Sequence, residues 1–360
     1  MSDISFSIVC PTYQGENNLI ALIACLDANF KNLRQFPEII FIIDNSSDSS
    51  QILLEEFEGK NPEKKITIHK NTTNLGPAQS RNIGVQMASG TVILFLDDDC
   101  RPKPNWYLEI TSAWRSAEEK IQGIGGYVVP TELESFNGRY CSTFSPIKPW
   151  PLIPSKISLP QRVKQYYKTP SPISQGVSYL AGANMSFRKD AFVKVGGFSP
   201  KLRIAEDISI CMNLRSTFGD DCLRVFESLT MPHNFSGDFK TTVRRSYRYG
   251  NGSGKNFSRG NGTFSFNPGP ILILSFLLLF LACHLILGAS IRDALSRSLV
   301  FFPLEILFYA FFVTRDKSAL PRFFIQRIKL GLAFLVSETA NSVGFISGLR
   351  FPFNDYREYS

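Results

Sequence analysis

The chain contains no cysteine pair at C-x-x-C spacing and no Cys/His grouping at the separations used by zinc sites. Its cysteines, Cys10, Cys25, Cys100, Cys141, Cys211, Cys222 and Cys283, are scattered, and they read as reduced thiols rather than as a disulfide framework. The opening residues, MSDISFSIVCP, lack a basic stretch followed by a long apolar run, so no secretory leader is expected and the N-terminal part is expected in the cytosol. No internal repeat period is visible. With 44% hydrophobic and 19% charged residues, the composition excludes a disordered chain. A net charge of +8 would suit nucleic acid only if it were gathered into a stripe, and the basic residues are instead spread out. Their local concentrations, from Arg244 to Arg259 and again near the C-terminus, suit phosphates and anionic lipid better.

At 360 residues the chain exceeds what one core usually organises, about 250 to 300 residues, so a large α/β domain plus an appendage is expected. The division falls near residue 262. Beyond it, residues 270–289 (PILILSFLLLFLACHLILGA) carry no formal charge and are long enough to cross a hydrocarbon layer of about 30 Å. A second apolar run, residues 299–313, is shorter and contains Pro303 and Glu305, and spans only with tilt or local thinning. The expected organisation is a cytosolic domain over 1–262, a transmembrane hairpin over 263–319, and an amphipathic interfacial helix with a tail over 320–360. Arg315, Lys317, Arg322, Arg327 and Lys329 favour a cytosolic C-terminus, against Arg292 and Arg297 in the outer loop.

The first hundred residues alternate short apolar runs with helical periodicity, the pattern of a parallel sheet covered by helices. Strands are expected at Phe6–Cys10, Ile39–Ile43, Ile66–His69, Thr91–Leu96 and Gly123–Val129, with helices at Asn17–Phe30, from Gly76 to Met87, and around Trp106–Lys120. Three strands run into polar residues: Pro11 and Tyr13, then Asp44 and Asn45, then Asp97, Asp98 and Asp99. Ligands of open α/β sheets bind at such carboxyl ends, so these residues should converge on one crevice. The Pro-rich segment Ser145–Pro172 is either a mobile loop over that crevice or a plain linker. A small-residue run, Tyr179 to Asn184, suits close approach by a ligand or by backbone. The Gly/Asn/Ser-rich stretch Gly250–Gly262 reads as flexible backbone. Asn-x-Ser/Thr triplets at Asn45 and Asn184 fall within these site motifs, where a glycan would block the site.

Three successive aspartates at the end of a buried strand repel one another unless a cation sits among them. Hard carboxylate ligands suit Mg²⁺ or Mn²⁺, which complete their shell with water and phosphate oxygens. The alternative is a solvated turn with an acidic helix cap.

The ordered motifs FSIVCPTYQGENNL, IIDNSSD, NLGPAQSRNIGVQMASGTVILFLDDDC, YLAGANMSFRKDAFVKVGGF and AEDISICMNLR resemble family 2 glycosyltransferases of membrane-anchored bacterial or archaeal type. The resemblance implies the GT-A fold of nucleotide-diphospho-sugar transferases: a Rossmann-like mixed sheet with helices on both faces, here followed by C-terminal transmembrane helices. It further implies nucleotide contacts from Pro11, Tyr13, Glu16, Asp44, Asn45, Arg81, Asp97 and Asp98, and metal contact from Asp99. Glu206-Asp207 matches the family's late acidic pair, with Asp207 as base and Glu206 orienting the acceptor. The other reading of that pair is favourable charge in a helix's first turn. His233 is either a metal or phosphate contact or a structural histidine. Asn184, Arg245, Arg248 and Tyr249 fall to the diphosphate and acceptor side, the basic segment being alternatively a lipid contact.

The activity so implied is transfer of one sugar, with inversion, from a nucleotide-sugar donor, by family prior a UDP-sugar. The acceptor would be lipid-linked or a growing glycan, and the enzyme would lie at the cytoplasmic membrane with its catalytic domain facing the cytosol. The QxxRW signature of processive synthases is missing, with RSYRYG in its place, and Cys100 stands where a fourth acid often follows the triplet. Rival readings are sugar-phosphate nucleotidyl transfer, which lacks its Gly-rich phosphate loop here, and an inactive membrane-anchored sugar-nucleotide-binding or scaffold protein, in which Asp99 or Asp207 should have been lost.

Overall fold

The computed structural model describes residues 4–31, 33, 36–133, 135–144, 177–235 and 237–258, with scattered positions and short runs between 286 and 348. Strands β1 (Phe6–Thr12), β2 (Glu38–Ile43), β3 (Ile66–Lys70) and β4 (Val92–Phe95) alternate with helices α1 (Glu16–Phe30), α2 (Ser50–Gly59) and α3 (Pro77–Met87). After them come α4 (Trp106–Arg115), β5 (Gly123–Pro130), α5 (Phe136–Phe144), β6 (Met185–Arg188), α6 (Lys189–Lys194), α7 (Glu206–Phe218), β7 (Leu223–His233) and α8 (Phe239–Ser258).

The strands form one seven-stranded sheet in the order β3-β2-β1-β4-β6-β5-β7. The first four are parallel, as the βα alternation requires. β6 enters antiparallel between β4 and β5, and β7 pairs parallel with β5 at the edge, so the sheet is mixed.

Side-chain alternation divides the interior in two. Ile8, Ile39, Phe41, Ile43, Val92 and Leu94 face a core completed by α1, α2 and α4, while Val9, Ile40, Ile42, Ile93 and Phe95 face one completed by α3, α6 and α7. Every residue of β2 is buried, which accounts for its unbroken apolar run. Each fully buried side chain of this size contributes about 1.5–3 kcal/mol, so the two cores fix the strand ends rigidly.

The strands expected in the first half are present, four of them slightly longer and β4 one residue shorter at each end. One expectation is overturned: Gly250 to Ser258 is not loose backbone but the last part of α8. Its glycines are there for packing. A Cβ at Gly250 or Gly254 would lie 1.8 Å from the Asn341 carbonyl oxygen or 2.2 Å from that of Phe345. Reciprocally, one at Gly344 or Gly348 would strike the carbonyls of Tyr247 and Asn251. Glycine at i and i+4 on both helical segments therefore lets their backbones touch.

The expected spans 270–289 and 299–313 lie outside the described residues, apart from positions 286 and 288, as does the Pro-rich segment 145–172. Among the described residues no helix is long and apolar enough to cross a membrane. The described positions between 333 and 348 are helical.

Candidate active site

The carboxyl ends of β1, β2 and β4 open onto one edge of the sheet, and their loops are stitched to one another. Gln14 and Glu16 donate their backbone N–H groups to Ser46 Oγ at 3.0 Å and Asp48 Oδ2 at 2.9 Å, while Glu16 Oε2 accepts from the Ser49 N–H at 3.3 Å. Gln14 and Asn45 both adopt left-handed backbone, with φ of 51° and 59°. At Gln14 the conformation is strained, and such strain gathers at functional edges, whereas Asn adopts it readily. Tyr13 is 54% exposed and Asn45 is also exposed, so both present free surface at this edge, while Pro11 is half-buried.

Asp44 is buried beneath that rim. Its carboxylate accepts from Asn71 Nδ2, the Leu75 N–H and the Gly76 N–H, each at 2.8 Å, and so fixes the turn that opens α3.

The aspartate triplet does three different things. Asp98 turns inward, its Oδ2 accepting from Thr12 Oγ1 at 2.6 Å. Burial, with Asp99 and Asp97 nearby, pushes its carboxyl up to about 7 against the pull of the Thr12 hydrogen bond. Gly15 is required beside it, since a Cβ there would stand 2.3 Å from Asp98 Oδ2. Asp97 reaches Arg81, whose Nη2 lies 2.5 Å from Asp97 Oδ1 while Nη1 lies 2.7 Å from Glu206 Oε1. Asp99 faces His233, with Oδ1 and Nε2 2.9 Å apart. That approach lacks the angle of a hydrogen bond, and Asp99 Oδ1 and His233 Nδ1 both stay without a hydrogen-bond partner. A carboxylate oxygen and an imidazole nitrogen 2.9 Å apart with no hydrogen bond between them could hold a cation, the carboxylate oxygen having no other partner. Asp97, Asp99 and His233 each offer one ligand atom, all within 4.8 Å of one another. Two carboxylates and an imidazole suit Mn²⁺, and Mg²⁺ with added water.

His233 owes its place to the end of β7, which is stitched to the triplet loop. The Arg101 N–H donates to Pro232 O at 2.7 Å, the Asn234 N–H donates to Asp99 O at 2.8 Å, and Cys100 bridges to His233.

Arg81 is the hub. It is 3% exposed and carries the charge that lets Asp97 and Glu206 approach each other. Its guanidinium stacks 5.7 Å over the Phe198 ring. Phe198 is held from α3, because Asn82 accepts from its N–H at 3.0 Å and donates to its carbonyl at 2.8 Å. Gly196 and Gly197 turn the chain there with φ of 85° and 66°. The Gly-Gly-Phe sequence thus builds the floor under Arg81.

Glu206 and Asp207 begin α7, and their surroundings separate them. Glu206 is buried against Arg81, and burial pushes its carboxyl up to about 7 although Arg81 opposes the shift. Asp207 is half-buried; its Oδ2 accepts from the Gly182 N–H at 2.9 Å and its Oδ1 from the Ile208 N–H at 2.8 Å. Burial raises its pKa, and those two hydrogen bonds restrain the rise. Tyr249 on α8 comes within electrostatic reach of Asp207 and Asp99, with Arg245 beside it, and burial raises its hydroxyl pKa. Arg248, on the same helix, is exposed.

The sequence profile of Glycosyl transferase family 2 matches residues 7–196, which include the triplet, Arg81 and the Gly182 turn. The chain belongs to glycosyltransferase family 2. It is 25% identical over 212 residues to an uncharacterized glycosyltransferase of Haemophilus influenzae, covering 58% of this chain and 61% of that one. It is 26% identical over 152 residues to the amylovoran biosynthesis glycosyltransferase AmsB of Erwinia amylovora, covering 41% and 48%. The chain thus spans less than two thirds of the length of these curated relatives. In fold it is similar to a mannosyltransferase of Pyrobaculum calidifontis, solved with GDP-Man and Mn²⁺, with a TM-score of 0.57 at 14% identity over 96% of this chain and 88% of that one.

Several residues expected at the substrate make bonds within the fold, Asp44 and Asp98 among them. Asn184 is 3% exposed and spends its amide on the Tyr127 and Leu229 carbonyls, at 3.1 and 2.6 Å. It ties β5 to β7 where their register shifts, with its Nδ2 donating on both sides. Arg81, expected on the nucleotide, is committed to two carboxylates. Thr12, Gly182 and Asn82 were not singled out from the sequence. Only the Gly182 run carried a signal, its small side chains.

Proposed function

We propose that this protein is an inverting glycosyltransferase that moves one sugar from a nucleoside-diphosphate donor, by family prior a UDP-sugar, to a hydroxyl or phosphate of a lipid-linked or growing glycan acceptor. The observation that carries the reading is the joining of two halves of a site through Arg81. On one side are Asp97 and the unsatisfied Asp99–His233 pair, and on the other Glu206 and Asp207.

Asp99 and His233, with Asp97 beside them, would hold Mn²⁺ or Mg²⁺, a set of donors these ions accept; the P. calidifontis mannosyltransferase contains Mn²⁺. Held there, such an ion would neutralise charge on the departing diphosphate. Tyr13 and Asn45 on the rim form the nucleobase side with Pro11 and Glu16, above Asp44. Arg245, Arg248 and Tyr249 face the diphosphate and the acceptor.

Asp207 is the base. As the acceptor oxygen attacks the anomeric carbon, its proton passes to an Asp207 carboxylate oxygen and the bond to the diphosphate oxygen breaks on the opposite face. A raised pKa brings this carboxylate nearer working pH and strengthens it as a proton acceptor. Glu206, neutralised by Arg81, holds the helix start in place and orients the acceptor. The apolar run 270–289 attaches the domain to the cytoplasmic face of the cell membrane, close to lipid-linked acceptors.

The test incubates detergent-solubilised full-length protein with UDP-glucose, UDP-N-acetylglucosamine or GDP-mannose, lipid extract and Mn²⁺ or chelator, and measures nucleoside diphosphate release. Release that requires the ion and is lost in Asp207→Asn is expected. Release unaffected by Asp207→Asn would overturn the assignment. Membrane fractionation of the full chain, with the protein expected in the pellet, checks the attachment.

A further inference from the structure

Ala205, immediately before the acidic pair, has φ of 62° and ψ of 24°, the left-handed conformation that L-residues other than Asn and Asp rarely take. It costs about 1–2 kcal/mol, and alanine has no side chain with which to offset it or to cap α7. Something outside the turn must hold it there. The Ala205 carbonyl accepts the first intrahelical bond of α7, from the Ser209 N–H at 3.1 Å, and a second from Asn256 Nδ2 at 2.9 Å. Asn256 is 4% exposed and sits near the end of α8. One turn earlier, Gly252 lets the helix lie directly on the catalytic turn, where a Cβ would stand 2.7 Å from the Ile204 carbonyl oxygen and 2.9 Å from Ala205 Cβ. Gly250 and Gly254, on another face, seat the 341–348 segment. α8 is therefore clamped between the C-terminal segment and the turn that launches Glu206 and Asp207.

We propose that Asn256 is a positioning residue: its bond to the Ala205 carbonyl holds the left-handed turn from which Asp207 is aimed at the acceptor. This rests on the reading of Asp207 as the base. Without the bond, Ala205 relaxes toward negative φ, the first turn of α7 frays, and Asp207 leaves the Gly182 N–H.

The experiment uses full-length protein with Asn256→Ala, Ala205→Gly and both together. Glycine adopts positive φ at little cost, so Ala205→Gly should make the clamp dispensable. In Asn256→Ala, kcat for nucleoside diphosphate release should fall roughly 10- to 100-fold with donor KM unchanged, as expected when a reacting group is misplaced by about 1 Å. Hydrogen exchange of the amides at 206–209 should rise about tenfold while the rest of the chain is unaltered. The double variant should return to within about threefold of Ala205→Gly alone in both measurements. Unchanged exchange at 206–209 in Asn256→Ala overturns the proposal, as does a double variant no better than Asn256→Ala, or a general rise in exchange with kcat per folded molecule intact. The exchange measurement needs no substrate, so it tests the clamp independently of the role of Asp207, which Asp207→Asn tests.

Discussion

Replacing Arg81 with methionine keeps most of its volume and removes the one charge shared by Asp97 and Glu206. Both contacts are short, 2.5 and 2.7 Å, and the Arg81 side chain is 4% exposed, so water cannot take its place. Breaking a buried pair while leaving its partner charged costs about 3–5 kcal/mol, a large part of the about 5–15 kcal/mol that holds a domain folded. The cost depends on pH, and its sign can be worked out. Glu206 in the folded parent is raised to about 7, above its unfolded value, so the folded state holds that proton more tightly. Its contribution to stability is complete below the unfolded pKa and is lost as pH rises toward 7. Without Arg81 the folded pKa climbs further and the loss continues beyond 7. Urea denaturation in the presence of chelator should therefore show a deficit of about 3–5 kcal/mol at pH 8 and a smaller one at pH 5.5. Arg81→Lys, a point charge that cannot fork to two carboxylates, should fall between. A deficit below about 1 kcal/mol, or one equal at the two pH values, would refute the hub.

Asp99→Ala should weaken Mn²⁺ binding by at least about tenfold, measured by electron paramagnetic resonance of free Mn²⁺, and His233→Gln should weaken it less. Unchanged binding in both would remove these residues from the ion. Asp207→Asn should lower kcat by about 10²–10⁴-fold while donor KM holds, with only a small fall in melting temperature, since it keeps one of the two acceptor oxygens and leaves Arg81 paired. A fall in melting temperature with kcat per folded molecule intact would point to a structural role instead. Asn184→Ala removes a hydrogen bond from each of the Tyr127 and Leu229 carbonyls and should cost about 1–3 kcal/mol in thermal or urea unfolding with donor affinity unchanged; lost affinity at full stability would return Asn184 to the diphosphate.

The first half of the fold was legible because its signals are strong and local. β2 is a six-residue apolar run, α3 opens on Gly76-Pro77, and three strands end in polar residues. The second half was harder to read. β6 is only four residues long, follows directly on a small-residue run, and its antiparallel entry between β4 and β5 depends on partners far away in sequence. The part of α8 from Gly250 onward reads as loose because glycine lowers helix propensity, yet Gly250 and Gly254 pack against residues almost a hundred positions later and Gly252 against Ile204 and Ala205. The triplet marked a charged edge, but its division of labour could not be read from three identical letters. Thr12 decides Asp98, Arg81 decides Asp97 and His233 decides Asp99.

The bridge from Asp97 through Arg81 to Glu206 also bears on where this molecule can be cut. The family match ends at residue 196, ten positions before Glu206 and before β7 brings His233 to the sheet edge. A fragment ending there would keep a buried guanidinium with half its counter-charge and a sheet with β5 exposed as its new edge. The unit that folds cooperatively is therefore longer than the one that sequence similarity outlines. Fragment designs or domain exchanges should place their junctions beyond α8, so that both ends of that ionic bridge travel together.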